Sequence, residues 1–418
     1  MSTLADTADL AEEVSRFMTS GHPLRGPVRR DPYPFYGRLR AENPVYRSPV
    51  GSWLLTSYEA CDAMLRDEQF RKARILTDAG HHDEPGALAE RIFLGSLVFQ
   101  NPPVHTRLRR IVSPLFTPRA IERRRERTRA IARDLLNSLL ERDSFDFRLD
   151  FASELPIRLI FEFIGIPDDR REDFLAWAET VRELQEHSGR TVEDLLRADD
   201  KARACLEFFD DLARERDEHP GDDLISLLRA AATADSEPLS REEFAAMLVI
   251  LHVGGHSTTT DVIATGLHTL LLNPGEAQLL REDLSLLPAA VEEMLRYEPP
   301  VTVTTPRASA QDTVICGTTI PAGQSVYAIV SAANRDPAHF PDPHRFDIRR
   351  SGPRHLSFAV GPHFCLGAHL GRQEAQEALG LLLSEFPPLE LTAATESLEW
   401  QDSFPHRGLE LLPVAWKR

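Results

Sequence analysis

Phe358-Ala-Val-Gly361-Pro-His363-Phe-Cys365-Leu-Gly367 is the most informative stretch of this 418-residue chain. Glycines at 361 and 367 bracket one cysteine. Lacking a Cβ, they predict a tight backbone turn that can come close to a flat ligand. Cys365 is expected just before a final helix from about Leu366 to Leu383, with Ala375, Ala378, Leu379 and Leu382 on one face. Free N–H groups and the positive dipole end at a helix start favour a thiolate, and a thiolate can ligate iron. Three other readings stand beside that one. Cys365 can be a small buried apolar side chain, or one ligand of a His363-x-Cys365-x3-His369 zinc cluster, or a nucleophile. The zinc cluster has no fourth ligand at a recognisable spacing, and no oriented partner for a nucleophile can be named.

Outward from this loop the pattern is mostly helical. Ser240-Arg-Glu-Glu243 is a capping box, with Leu239 and Phe244 placed as a hydrophobic staple. No proline intervenes before Leu272, which predicts a helix of about 32 residues, about 48 Å long at 1.5 Å per residue. Leu287, Ala290, Val291, Met294 and Leu295 recur at i, i+3, i+4, i+7 and i+8, the apolar stripe of a second helix. Glu293 and Arg296 share a face of it and can pair. Helical pattern also covers Val104 to about Leu140, and Asp168 to Arg229 with breaks. Val45–Arg47 and Ser52–Thr56 predict a short hairpin, Glu59–Leu65 a short helix, and Ser325–Val330 a strand. Asp78–Phe99 is expected to be a mobile loop with one short helix. The fold class expected is mainly α with a minor β-sheet. No linker-like run divides the chain, so residues 1–418 are taken as a single domain.

Composition narrows the function classes. Lys plus Arg is 48 against 65 Asp plus Glu, a formal net charge of −17. Such a balance disfavours nucleic acid and anionic lipid as partners. Four dispersed cysteines without a CxxC pair argue against a disulfide framework and for a reducing compartment. No apolar run suits a signal peptide or a membrane anchor, so a cytoplasmic location is expected.

The cysteine segment resembles the haem-binding loop of the cytochrome P-450 family, F-x-x-G-x-H/R-x-C-x-G, and matches every fixed position. Further segments match the family in the right order. Glu293 and Arg296 resemble its E-x-x-R pair, which implies a structural role. Asn334-Arg335-Asp336-Pro337 and Phe346-Asp347 resemble the segments that follow. His105-Thr-Arg-Leu-Arg109-Arg110 is similar to the family's H-T-R-L-R-R helix, and Arg307-Ala-Ser-Ala-Gln-Asp312 to its R-x-A-x-x-D segment, with Ser309 in place of alanine. The resemblance implies haem b, with Cys365 as metal ligand and Phe358 and Gly367 in the cofactor loop. It implies that His105, Arg109, Arg307 and His363 hold the propionates, for which arginine's planar donor fork is suited.

Gly254-Gly-His-Ser-Thr258 sits mid-helix, where each glycine costs roughly 1 kcal/mol relative to alanine. The family's A/G-G-x-D/E-T segment explains Gly254 and Gly255 as a bulge that leaves room for dioxygen, and gives Thr258 a part in oxygen activation. Ser257 stands where the family usually has Asp or Glu. A serine can relay a proton but cannot be an acid near neutral pH. Water, neighbouring hydroxyls, a polar group of the substrate, or peroxide-driven or oxidative-coupling chemistry remain open in its place.

The resemblance implies a cytochrome P-450 architecture, with a long central helix over a buried haem, and a monooxygenase that hydroxylates or epoxidises an organic substrate. Ferredoxin and ferredoxin reductase are the implied electron donors, because no flavin or iron–sulfur motif occurs, and a monomer is expected. The clustered Arg123, Arg124, Arg125 and Arg127 read equally as a solvated helix face or as a patch for an acidic redox protein. Arg110 and Arg372 are further docking candidates. The substrate pocket implied includes Ile250, Val253, Val301, Val303 and Phe404, with the Asp78–Phe99 and Arg170–Gly189 regions. It suits a medium-sized, moderately apolar secondary-metabolite intermediate. A haem-binding sensor without turnover is the rival from another class.

Overall fold

The computed structural model describes residues 4–18, 26–73, 85–172, 174–175, 191–234 and 238–417. Residues 78–84 of the expected loop and most of the Arg170–Gly189 region lie outside them. Helix dominates, and the strands are short: β1 (Val45–Arg47), β2 (Trp53–Leu55), β3 (Phe70–Lys72), β4 (Phe145–Asp146), β5 (Arg307–Ser309), β6 (Thr313–Ile315), β7 (Thr318–Ile320), β8 (Val326–Ala328), β9 (Leu389–Leu391) and β10 (Pro413–Trp416). The largest sheet has the order β1-β2-β8-β5-β3, the second β4-β10-β9, and β6 pairs with β7 alone. The predicted hairpin is β1–β2, in antiparallel register with Val45 opposite Leu55.

The described residues form two compact units. One comprises Met1–Ala73, Arg125–Leu155 and Thr258–Arg418, and the other Arg74–Arg124 and Pro156–Ser257. All ten strands belong to the first unit. Its sheet packs on two apolar clusters, one built around Trp53, Met64, Val326 and Leu356, the other around Val14, Phe35, Tyr36, Leu39 and Ile329. The second cluster includes the N-terminal helix Leu4–Met18, whose Leu10, Val14 and Phe17 are buried. In the second unit, Asp199 is buried and its carboxylate accepts from the N–H groups of Gly86, Leu88 and Ala89 at 2.8–3.0 Å. It thereby satisfies the orphan donors at the start of helix Ala87–Gly95.

The long helix spans Arg241–Leu272, 32 residues, and begins as predicted. Glu243 N–H donates to Ser240 Oγ at 3.1 Å, and Ser240 N–H to Glu243 Oε2 at 2.9 Å. Helix Leu287–Tyr297 buries all five residues of the expected stripe, together with Glu293 and Arg296. The last helix runs from Ala368 to Glu385, two residues later than expected, because Gly367 caps it.

Candidate active site

The cysteine loop is held by its own backbone. Ala359 and Gly361 both have positive φ, 54° and 74°, and Gly361–His363 forms one 3-10 turn. Cys365 N–H donates to Phe358 O at 2.9 Å, and Phe364 N–H to Gly361 O at 3.0 Å. Gly361 is required on two counts. Its φ suits glycine, and a Cβ there would lie 2.6 Å from the Leu65 carbonyl oxygen. Gly367 differs from expectation: its φ is −81°, so its backbone does not demand glycine. A Cβ at Gly367 would meet nothing within 4 Å among the described residues, so the residue leaves space instead. Ala359 in the left-handed region had no signal in the sequence, because alanine rarely adopts it.

A chain of hydrogen bonds ties this loop to the E-x-x-R pair. Arg296 Nη1 donates to Asn334 O at 3.0 Å, and Asn334 Oδ1 accepts from Leu356 N–H at 2.7 Å. Asn334 Nδ2 donates to Ser357 Oγ, which in turn donates to Leu295 O at 2.7 Å. Phe358, next along, lies under the Arg372 guanidinium at 4.3 Å. Arg372 forks onto Glu292 at 2.6 and 2.8 Å, and His355 Nε2 lies 3.3 Å from the same carboxylate. Burial alone would raise the Glu292 pKa, but Arg372 and His355 together bring it down to about 2. Arg372 is therefore a supporting residue of the loop, a role that its sequence position did not reveal.

The candidate cations divide between the units. In the first, Arg307 on β5 is 3% exposed, and burial pushes its pKa down to about 10. Its Nη1 donates to Leu65 O at 3.1 Å, while its buried Nε has no hydrogen-bond partner among the described residues. His363 is half-buried. In the second unit, His105 is buried on helix Val104–Val112 with Leu108, Ile111 and Val112; Arg109 is half-buried and Arg110 exposed. Arg107 pairs with Glu243 of the capping box. Much of the Arg123–Arg127 cluster is taken up internally: Arg124 stacks on Phe163 at 4.4 Å, and Arg125 pairs with Glu377.

On the long helix, Ile250, Val253, Gly254, Ser257 and Thr258 follow the i, i+3, i+4, i+7, i+8 spacing of one face, and none is buried. The helix is unbroken through the glycines, so the expected bulge does not interrupt it. The two glycines act differently. A Cβ at Gly254 would meet nothing within 4 Å among the described residues, whereas one at Gly255 would press on Ile160 Cδ1 at 3.2 Å. Ser257 Oγ donates to Val253 O at 3.1 Å, within its own helix.

The remaining pocket candidates are mostly occupied by packing. Val303 is 1% exposed and belongs to the core cluster with Tyr36 and Ile329. Phe404 packs edge-on against Phe17 and Tyr327, with ring centroids 5.2 and 5.8 Å away. It also borders a cavity of about 30 Å³ with Thr302 and His406. That cavity has room for a water or two, far below the roughly 300–1,000 Å³ of a typical ligand pocket. Val301 is half-buried and bridges to His406.

Among the described residues no group of three or more His, Cys, Asp or Glu side chains is placed to hold a metal ion. All four cysteines are free thiols; Cys61 and Cys205 are buried, and Cys365 is exposed. An accessible sulfur at a helix start, and a buried arginine with a donor to spare, fit a flat cofactor that offers iron and carboxylates. That is the class of haem-thiolate proteins.

The comparisons with known proteins carry this to a family. The cytochrome P450 family matches residues 54–404. The chain is 38% identical to cytochrome P450 monooxygenase PikC of Streptomyces venezuelae, over 93% of this chain and 92% of that one. It is 36% identical to the vitamin D(3) 25-hydroxylase of Pseudonocardia autotrophica, over 95% and 96%. The structure of P450BioI with an acyl carrier protein ligated to hexadec-9Z-enoic acid superposes with a TM-score of 0.87 at 34% identity, covering 94% of this chain and all of that one. The chain belongs to the cytochrome P450 family. It is a monooxygenase, an oxidoreductase that incorporates molecular oxygen into small organic substrates, with haem b as its cofactor. No helix among the described residues is long and apolar enough to cross a membrane.

Proposed function

We propose that this monooxygenase hydroxylates or epoxidises a medium-sized, moderately apolar intermediate of secondary metabolism. Electrons come from ferredoxin and ferredoxin reductase, and the enzyme works in the cytoplasm as a monomer whose whole chain acts as one domain. The observation that carries the substrate reading is the open face of the long helix. Ile250, Val253 and Gly254 present an apolar surface with small bulk, and Ser257 and Thr258 add hydroxyls. Relatives named for polyketide biosynthesis and for hydroxylation or epoxidation support it, among them the 6-deoxyerythronolide B hydroxylase of Saccharopolyspora erythraea, 35% identical over 92% of the chain.

In this reading Cys365 ligates the iron, with Phe358 and Gly367 shaping its loop. His105, Arg109, Arg307 and His363 hold the propionates, and Gly254 and Gly255 shape the oxygen side. Haem supplies the chemistry that passes one atom of dioxygen to the substrate and reduces the other to water. The protein's own residues bind and orient the substrate and move protons. Thr258 holds a water beside the substrate, and position 257 contributes no acid. A second reading, peroxide-driven or oxidative-coupling chemistry, is favoured by one detail: the Ser257 hydroxyl is turned back onto Val253.

The deciding experiment is the absorption spectrum of the reduced, carbon-monoxide-bound protein beside Cys365→Ser, followed by spin-state titration with a panel of macrolactones and fatty acids. The wild type should show the red-shifted thiolate band and the variant should lose it; a wild type without that band overturns the ligand assignment. A panel in which fatty acids shift the spin state and macrolactones do not overturns the substrate reading. Turnover with hydrogen peroxide that exceeds turnover with reductant selects the second reading.

A further inference from the structure

Strands β3 and β5 pair antiparallel with Lys72 directly opposite Arg307. Residues directly opposite on paired strands project to the same face, and like charges placed so repel. Arg307 is buried and Lys72 half-buried. Burial, and then the Arg307 charge, bring the Lys72 ammonium down from its ordinary value to about 7. Lys72 Nζ contacts Thr305 Oγ1. Arg307 keeps its buried Nε without a partner among the described residues. A sheet that sets a half-buried cation beside a buried one with an unsatisfied donor is arranged for an anion. The Leu65 carbonyl that accepts from Arg307 is the same atom that forbids a Cβ at Gly361, so the cation pair and the Cys365 loop abut one piece of backbone.

We propose that Lys72 and Arg307 together receive one carboxylate, and that this carboxylate is a haem propionate, which makes Lys72 a cofactor-anchoring residue. The inference rests on the reading of Arg307 as a propionate contact and adds a second cation to it. A carboxylate oxygen placed between them accepts from Arg307 Nε and from the Lys72 ammonium, satisfies the orphan donor and lets Lys72 keep its charge. A carboxylate of the substrate has the same chemistry, and the experiment separates the two sources.

The test compares purified holoenzymes of wild type, Lys72→Met, Lys72→Arg and Arg307→Lys. The first readout is the rate at which oxidised haem passes to an excess of an apo-haem-protein acceptor. Losing a hydrogen bond to a charged group predicts about tenfold or more faster release for Lys72→Met. The second readout is the reduction potential, which should fall in Lys72→Met and recover in Lys72→Arg, because removal of a nearby positive charge favours the oxidised, more positive iron. A purely structural role through Thr305 would not move the potential with the sign of the charge. If Arg307→Lys speeds haem release and Lys72→Met does not, the inference fails while the Arg307 reading stands. If neither does, both fail. Unchanged haem release in Lys72→Met, with weaker spin-state binding of a carboxylic acid but not of its methyl ester, assigns the site to the substrate and overturns the propionate.

Discussion

Arg296 grips Glu293 in the interior, with Nε donating to Oε2 at 2.7 Å and Nη2 to Oε1 at 2.8 Å. Both side chains are almost fully buried. Arg296 also donates to the carbonyls of Asn334 and Pro343 at 3.0 and 2.9 Å, and Arg350 adds a second cation to Glu293 at 3.1 Å. The pair holds the Asn334 and Pro343 carbonyls, and Asn334 in turn holds Leu356 and Ser357 just before the cysteine loop. Removing Arg296 leaves Glu293 to Arg350 and takes a donor from the carbonyls of Asn334 and Pro343, and breaking a buried pair in this way typically costs about 3–5 kcal/mol. Arg296→Ala is expected to lower the thermal midpoint sharply and to yield protein with little haem. An Arg296→Ala variant that melts like wild type with full haem content would refute this structural role.

Gly361→Ala should be nearly as severe for its size. The added methyl meets the Leu65 carbonyl oxygen at 2.6 Å and forces alanine into φ of 74°, and strain of this kind costs about 1–3 kcal/mol. The reduced, carbon-monoxide-bound spectrum should show a larger share of the form that lacks the thiolate signature. Gly367→Ala, whose φ is negative and whose Cβ meets nothing within 4 Å among the described residues, should change the melting temperature much less. Its effect should appear as weaker haem retention. Equal melting temperatures for the two variants would contradict this division.

Glu374 makes the stability depend on pH. It is buried on the last helix, its Oε2 has no hydrogen-bond partner among the described residues, and burial raises its pKa from 4.5 to about 8. Below pH 4.5 the carboxyl is protonated in the folded and unfolded chain alike, and no penalty arises. Between 4.5 and about 8 the unfolded chain releases the proton that the folded one retains. Stability then falls by up to roughly 1.4 kcal/mol per pH unit, levelling off above the folded value. Glu374→Gln removes this slope. The melting temperature of the variant should match wild type near pH 5 and exceed it increasingly toward pH 8. Parallel profiles for the two proteins would sink the assignment.

Ser257 is where the proton supply can be tuned. A positioned general acid is worth roughly 10²–10⁴ in rate, and serine cannot supply one. Ser257→Asp is expected to raise the reductant-driven rate by about tenfold and to leave peroxide-driven turnover unchanged. Ser257→Ala should alter reductant-driven turnover little, since the hydroxyl bonds to Val253 O in its own helix. If aspartate changes neither rate nor coupling under either condition, position 257 does not tune the chemistry.

What the sequence determined on its own is what short-range geometry encodes. The capping box of Ser240 and Glu243, the apolar stripe from Leu287 to Leu295 and the pairing of Glu293 with Arg296 are all settled within a helical turn or two, so spacing suffices to read them. The loop around Cys365 is likewise contiguous, and its match to a family required no knowledge of distant contacts. The tertiary structure alone decided what depends on register and burial. Lys72 touches Thr305 across 233 residues only because β3 pairs with β5 in one register. Val303 disappears into the core although its neighbour Val301 does not. Arg372, a docking candidate by its sequence, is drawn over Phe358 and onto Glu292. Side-chain partners of this sort are chosen by long-range packing, and no local pattern records them.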